Sequence, residues 1–166
     1  MTTLATKYFG EINLEKLDEW YEAELEINQQ TVEVSLAIST AATILDKAII
    51  QKIENYVDHL QSNAKAIRQL IQQNFKEKGE AKYYIDSQIE DQDKGDIDDL
   101  IENADKTLNK KEKLLSILTL LNIRFYPETE DNMFVVFDYT IDEALTDDLL
   151  VVKIYKDDTV RIDIES

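Results

Sequence analysis

The chain of 166 residues contains no cysteine, one proline, three glycines and one histidine. Without cysteine it forms no disulfide and uses no thiolate nucleophile, zinc ribbon or iron–sulfur cluster. The glycines Gly10, Gly79 and Gly95 are isolated, so neither the dinucleotide-binding nor the P-loop glycine motif is present. These absences exclude the thiol-based activities and the common motifs for binding nucleotide phosphates.

Basic residues are also scarce. The 18 Lys and Arg residues stand against 35 Asp and Glu, which gives a formal net charge of -17. Nucleic acids and anionic membrane surfaces are both bound through clustered basic side chains, so we expect neither as a partner. Apolar residues make up 43% of the chain, which favours a folded domain over a disordered chain.

Long apolar runs are missing as well. The most apolar stretch, residues 114–121, is far shorter than the roughly 20 residues that a membrane-spanning helix needs. The first ten residues lack the positively charged start and apolar core of a signal peptide. We therefore expect a soluble cytoplasmic protein.

The periodicity of the apolar residues changes twice along the chain. Alternation with period two predicts strands within residues 8–38, and spacings of three and four predict a helical section over 41–121. Alternation of apolar and polar residues returns over 123–165 and predicts strands there. We predict a single domain, 1–166, of the α+β class, in which an antiparallel sheet from the N- and C-terminal strands packs against the central helical section.

Within this plan the sequence predicts individual elements. These are an edge strand at 8–12, a hairpin over 20–38 with its turn at 28–30, a helix at 83–89, a charged loop at 90–96, helices at 97–108 and 114–121, and a central strand at 133–140.

No catalytic motif is present. A Ser–His–Asp triad would depend on His59, and no serine lies in a G-x-S-x-G turn. We expect His59 in the C-terminal turn of the first helix, where the helix dipole favours it. We therefore predict a protein that is not an enzyme and needs no cofactor.

Residues 91–102 resemble a calcium-binding loop without matching one. Counting from Asp91 puts Asp93 and Glu102 at ligand positions, but Gly95 then falls at position 5 instead of 6. Counting from Glu90 restores the glycine and puts a lysine at a ligand position. We therefore predict no metal site, and a solvated loop in which Asp96 caps the following helix.

Negative charge is concentrated in the strand-forming ends and the middle loop, whereas the first long helices are close to neutral. On the polar face of the strand that begins at residue 20, an aromatic side chain is in phase with carboxylates, and one more carboxylate lies across the hairpin. The residues are Trp20, Glu22, Glu24, Glu26 and Glu33. An aromatic anchor surrounded by charge is typical of a protein interface. The alternative is that a helix or loop covers Trp20, or that a bulge turns it into the core.

Segments 134–140, 147–154 and 160–166, together with the early hairpin ending at Ser39, carry a resemblance. They resemble an uncharacterised bacterial domain-of-unknown-function family, number two thousand and four, of small acidic proteins. The resemblance covers both ends of the chain, includes no catalytic motif and assigns no site residues. It implies an immunity protein of a polymorphic toxin system.

The leading hypothesis is a cytoplasmic binding protein of immunity type, which masks a basic, toxin-like protein with its acidic sheet surface. One alternative is a structural or scaffold module whose acidity only confers solubility. The other is a metal-dependent hydrolase that uses carboxylates.

Overall fold

The computed structural model describes residues 2–18, 20–38, 45–127 and 132–166. Ser39, where the predicted hairpin ends, and residue 41, where the predicted helical section begins, lie outside the described residues.

The described residues form eight strands and five helices. The strands are β1 (Thr3–Ala5), β2 (Glu11–Asn13), β3 (Trp20–Ile27), β4 (Gln30–Ala37), β5 (Thr119–Phe125), β6 (Met133–Thr140), β7 (Leu149–Tyr155) and β8 (Val160–Glu165). The helices are α1 (Lys47–Asp58), α2 (Leu60–Lys76), α3 (Glu80–Asp91), α4 (Lys94–Leu100) and α5 (Lys110–Ser116). The order of strands, helices and strands confirms the predicted α+β class.

Six strands form the main sheet in the order β3-β4-β5-β6-β7-β8, and β1 and β2 form a separate two-stranded sheet. All neighbours in the main sheet are antiparallel except β4 and β5, which run parallel. A parallel pair needs a long crossover connection, and the five helices lie in the connection between β4 and β5.

One face of the sheet is apolar and packs against the helices. Residues paired across all six strands form a continuous row on this face, namely Ala23, Val34, Ile123, Phe137, Val152 and Ile162. The ring of Tyr56 in α1 contacts Phe137 edge-on, with the ring centroids 6.4 Å apart. Burial raises the pKa of Tyr56 to about 12.

Helix α2 follows the spacing that the sequence predicts for an amphipathic helix. Its buried residues are Leu60, Ala64, Ile67 and Ile71, separated by four, three and four positions. His59 joins α1 to α2, and its Nδ1 lies 2.9 Å from the carbonyl oxygen of Asn55. The expected place of this histidine, at the end of the first helix, is confirmed.

Several boundaries differ from the sequence prediction. The predicted edge strand at 8–12 is instead the short β2, which pairs with β1 outside the main sheet. The chain bends at residues 7–9, and Gly10 has a positive φ of 74°. A strand at residue 8 is therefore wrong.

The predicted charged loop at 90–96 is also wrong, because α3 extends to Asp91 and α4 begins at Lys94. The Asp93 side chain accepts a hydrogen bond from the Gly95 backbone nitrogen at 2.8 Å, so Asp93 caps this helix and Asp96 lies in its first turn. The helix ends at Leu100, well before residue 108.

The predicted helix at 114–121 divides into two elements. A capping box at Asn109 and Glu112 begins α5, which ends at Ser116. Strand β5 then starts at Thr119, not at residue 123. Five leucines within eight residues fit either period, and the pairing of β5 with β4 and β6 selects the strand.

Candidate functional site

The hairpin of β3 and β4 positions all five residues that the sequence analysis selected. Asn28 and Gln29 have φ angles of 50° and 65°, as in the type I′ turn that matches the twist of paired strands. The Gln61 amide of α2 donates to the Asn28 side-chain oxygen at 2.9 Å and ties the turn to the helical layer. The tight turn fixes the strand register.

That register gathers four carboxylates on one face. We call Glu22, Glu24, Glu26 and Glu33 the acidic strip; all four are exposed. Glu24 lies directly opposite Glu33. Because a strand rises about 3.3 Å per residue, the face of β3 from Trp20 to Glu26 is about 20 Å long. Within the described residues no ion pair involves a strip carboxylate.

Trp20 lies at the start of β3, on the same face as the acidic strip. Its side chain is 49% exposed, and the residue opposite is Ala37, which is too small to cover an indole. Of the two alternatives that the sequence left open, the structure therefore has the exposed tryptophan. An aromatic side chain with this much exposure is available as an interface anchor.

The acidic strip is one half of a polar face that extends over the whole sheet. The pairings give two rows on this face, each with one residue from every strand. The first row is Glu24, Glu33, Asn122, Asp138, Val151 and Asp163. The second row is Glu22, Ser35, Arg124, Val136, Lys153 and Arg161.

Charges on the β5–β8 half of the polar face are paired. The Arg124 guanidinium donates to the buried Asp138 carboxylate, with the Nη2 atom 3.1 and 3.0 Å from its two oxygens. Burial raises the pKa of Asp138 and the nearby Arg124 opposes that rise. Lys153 contacts Glu165 at 2.5 Å and Asp163 at 3.2 Å. Hydrogen bonding to Glu165 in particular raises the pKa of Lys153.

The two halves of the polar face therefore differ in whether their carboxylates are neutralised. On the β5–β8 half, Arg124 and Lys153 neutralise carboxylates on neighbouring strands, and Arg161 pairs with Asp163 of its own strand. On the β3–β4 half, the acidic strip has no such cations within the described part of the chain. The unbalanced charge of the sheet is concentrated at one edge, beside Trp20.

Residues 91–102 do not form an ion-binding loop. Asp93 caps α4, and the Asp98 carboxylate contacts Lys110 at 3.2 Å. In the described ranges, no group of three or more His, Asp or Glu side chains is placed to hold a metal ion. None of the described helices has the length and apolarity to cross a bilayer.

Comparison with known proteins gives no relative, since no family model, curated protein or solved structure matches the chain. The resemblance to the family numbered two thousand and four therefore stays a prediction.

Sequence reasoning found the acidic strip and missed the paired network. The signal for that network was weak, because β6 is apolar on both faces and Asp138 is its single charged residue. Only the pairing of β5 with β6 brings Arg124 close to Asp138.

Proposed function

We propose that this protein binds a basic protein partner in the cytoplasm through the acidic strip and Trp20, and masks that partner without turning it over. The observation that carries this proposal is the exposed, unneutralised row of carboxylates beside an exposed indole. Carboxylates in this arrangement attract a basic surface at long range, and the indole supplies apolar contact once the surfaces meet.

The energetic cost of placing like charges opposite each other supports a binding role for the acidic strip. Like charges placed directly opposite on paired strands are destabilising, and Glu24 and Glu33 are placed in this way. On the other half of the same face, cations offset the carboxylates. Departures from favourable charge pairing are commonest at functional sites, so the uncompensated edge is the stronger candidate for contact with a partner.

Charge also favours a different protein over a second copy as the partner. β3 is an edge strand of the sheet, and exposed edges invite pairing with other strands. Two copies meeting edge to edge at β3 would bring two rows of glutamates together, which is repulsive. A partner segment rich in Lys or Arg is attracted instead, because each strip carboxylate then gains a counter-charge.

The immunity-type hypothesis specifies the class of partner, which is a toxin. An immunity protein acts by occluding a toxin, so an exposed charged surface without catalytic groups is sufficient for it. The resemblance described above supports a toxin as the masked protein, and that assignment remains part of the proposal.

The test is affinity capture from a lysate of the source cell, with three immobilised proteins. The first is the wild type. The strip variant carries Glu22→Gln, Glu24→Gln, Glu26→Gln and Glu33→Gln. The helix-side variant carries Glu90→Gln, Asp91→Asn, Asp99→Asn and Glu102→Gln, which are exposed acids of the helical layer.

The two variants change the net charge equally, so a difference between them reports the place of the charge. We expect one basic protein to be held in stoichiometric amount by the wild type and the helix-side variant, and lost by the strip variant. Equal retention by both variants, or a mixture of basic proteins released at low salt from all three columns, contradicts the proposal and favours acidity that serves solubility.

A further inference from the structure

A pocket of about 1040 Å³ lies between helix α2 and the apolar face of the sheet, beside the β3–β4 turn. Small-molecule sites usually measure about 300–1,000 Å³, so this pocket is large enough for a metabolite. The acidic strip lies on the opposite face of the sheet. The pocket is therefore a separate feature from the proposed protein interface.

One side of the pocket is apolar and buried. It is lined by Val32 of β4, Leu118 just before β5, Leu120 of β5 and Tyr139 of β6. Within the described residues the Tyr139 hydroxyl makes no hydrogen bond with the protein. Burial raises the pKa of Tyr139, so this hydroxyl keeps its proton and remains a donor at neutral pH.

The other side of the pocket is polar and comes from one face of α2. Gln61, Lys65, Arg68 and Gln72 follow one another at spacings of four, three and four residues, which places them along the same side of the helix. This side presents amides and two cations.

Arg68 is the unusual residue of this group. It is half-buried, and its Nη2 atom donates to the Ser116 carbonyl oxygen at 3.0 Å. In a chain with 35 acidic residues, no carboxylate of the described part pairs with it. Burial lowers the pKa of Arg68, but arginine stays protonated, so a partly desolvated cation faces the pocket.

The acidic charge at the pocket is already compensated. Asp58 is the one carboxylate among the described residues that line it, and Asp58 contacts Lys7 at 2.5 Å and accepts a hydrogen bond from the Tyr8 hydroxyl. Hydrogen bonds from Lys7 and Tyr8 lower the pKa of Asp58. The remaining charges at the pocket, Lys65 and Arg68, are positive in a protein that is otherwise strongly acidic.

We propose that this pocket binds a small organic anion, a carboxylate or a phosphate monoester with an apolar part. The anionic group pairs with the Arg68 guanidinium and accepts a hydrogen bond from the Tyr139 hydroxyl. The apolar part lies on Leu118 and Leu120. A planar guanidinium recognises both carboxylate and phosphate oxygens through paired hydrogen bonds, so the shared chemistry of the two ligand classes defines the site.

The experiment is a titration of the isotope-labelled full chain, followed by NMR, at constant ionic strength. The probes are phenyl phosphate and benzoate as organic anions, inorganic phosphate as the anion without an apolar part, and benzyl alcohol as the neutral analogue. We expect saturable shifts of the Arg68 side chain and of the α2 amides with both organic anions. Binding should be weaker for inorganic phosphate and for benzyl alcohol.

Three variants identify the contacts. Arg68→Gln should weaken organic-anion binding by at least about tenfold, and Tyr139→Phe should weaken it by a smaller factor. Lys47→Gln removes the same charge at an exposed position of α1 and should leave binding unchanged. Should Arg68→Gln fail to fold, Arg68→Lys retains the charge, and a loss of affinity there tests the guanidinium itself.

Shifts that do not saturate, that are equal for the anions and benzyl alcohol, or that persist unchanged in the Arg68 and Tyr139 variants overturn the proposal. In that case Arg68 serves only to hold α2 against the end of α5 through Ser116. None of these variants alters the acidic strip, so the result is independent of the proposed protein partner.

Discussion

Glu24 and Glu33 lie directly opposite each other on the antiparallel strands β3 and β4. No cation pairs with either carboxylate in the part of the chain that the structure describes. The two residues are exposed, so their repulsion is partly screened by solvent. This pair is the clearest sign that the charge at the β3 edge is not arranged for stability alone.

The first prediction concerns the energy of this pair. Glu24→Gln should stabilise the fold by about 0.2–1 kcal/mol at low salt, because it removes a like charge from a directly opposed position. Glu26→Gln is the matched control, since Glu26 faces Thr31 and no carboxylate. Urea unfolding curves for both variants measure the difference. A gain that is no larger for Glu24→Gln than for Glu26→Gln would contradict the assigned repulsion.

A second prediction concerns the buried ion pair of the polar face. Asp138→Ala should destabilise the protein by roughly 2–3 kcal/mol, because it leaves the Arg124 guanidinium without its carboxylate. The double variant Arg124→Met with Asp138→Leu removes both charges and should recover most of that loss. Equilibrium unfolding of the single and double variants measures the two free energies of unfolding. A double variant as unstable as Asp138→Ala would mean that the loss comes from packing.

The third prediction is a pH dependence centred on Asp86. Burial alone would raise the pKa of Asp86, but hydrogen bonds from Lys111 and Lys82 outweigh this effect and the pKa is lowered. Its contribution to stability is therefore present above the unfolded value of about 3.9 and is lost as the pH falls through the lower folded value. The stability lost in Asp86→Asn should be greatest near neutral pH and should shrink in acid.

Asp138 supplies a control of opposite sign for this measurement. Its folded pKa is raised by burial, so the stability of the wild type relative to Asp138→Asn should decrease as the pH rises through that value. Unfolding free energies measured across the acid range for both variants test the two directions together. Parallel pH profiles for the two variants would show that the charges do not act as assigned.

The fourth prediction concerns Tyr84, which is fully buried in α3. Its hydroxyl donates to the Asp148 carbonyl oxygen at 3.1 Å and accepts from the Ile141 backbone nitrogen at 3.3 Å. Tyr84→Phe should cost about 1–3 kcal/mol, because both backbone groups lose their partner. Tyr83→Phe changes a side chain that is 68% exposed and should have little effect. Thermal or urea unfolding that does not separate the two variants would contradict this role.

The sequence was sufficient for the features that depend on local pattern. Alternation between apolar and acidic residues from Trp20 onward predicted β3, its exposed face and the members of the acidic strip. The turn at 28–30 followed from polar residues between two alternating segments, and the structure places left-handed Asn28 and Gln29 there. These features are determined by near neighbours in the chain.

Features that depend on distant contacts were not predictable in the same way. The parallel pairing of β4 with β5 joins residues 89 positions apart, such as Val34 and Ile123. Leu120 fits a helix or a strand, and its pairing with Tyr139 of β6 selects the strand. The pocket beside Arg68 arises where α2 crosses the sheet, so a sequence pattern alone carries no sign of it.

The fifth prediction addresses the central claim, that the acidic strip attracts a basic partner. The measurement is the association rate constant between the captured partner and the wild type, the strip variant and the helix-side variant, by stopped flow over a range of salt. At low salt we expect the strip variant to associate at least about tenfold more slowly. The helix-side variant, with the same net charge, should stay close to the wild type.

The three rate constants should converge near 1 M salt, where the Debye length falls to about 3 Å. Equal rate constants for the wild type and the strip variant at low salt would contradict the account.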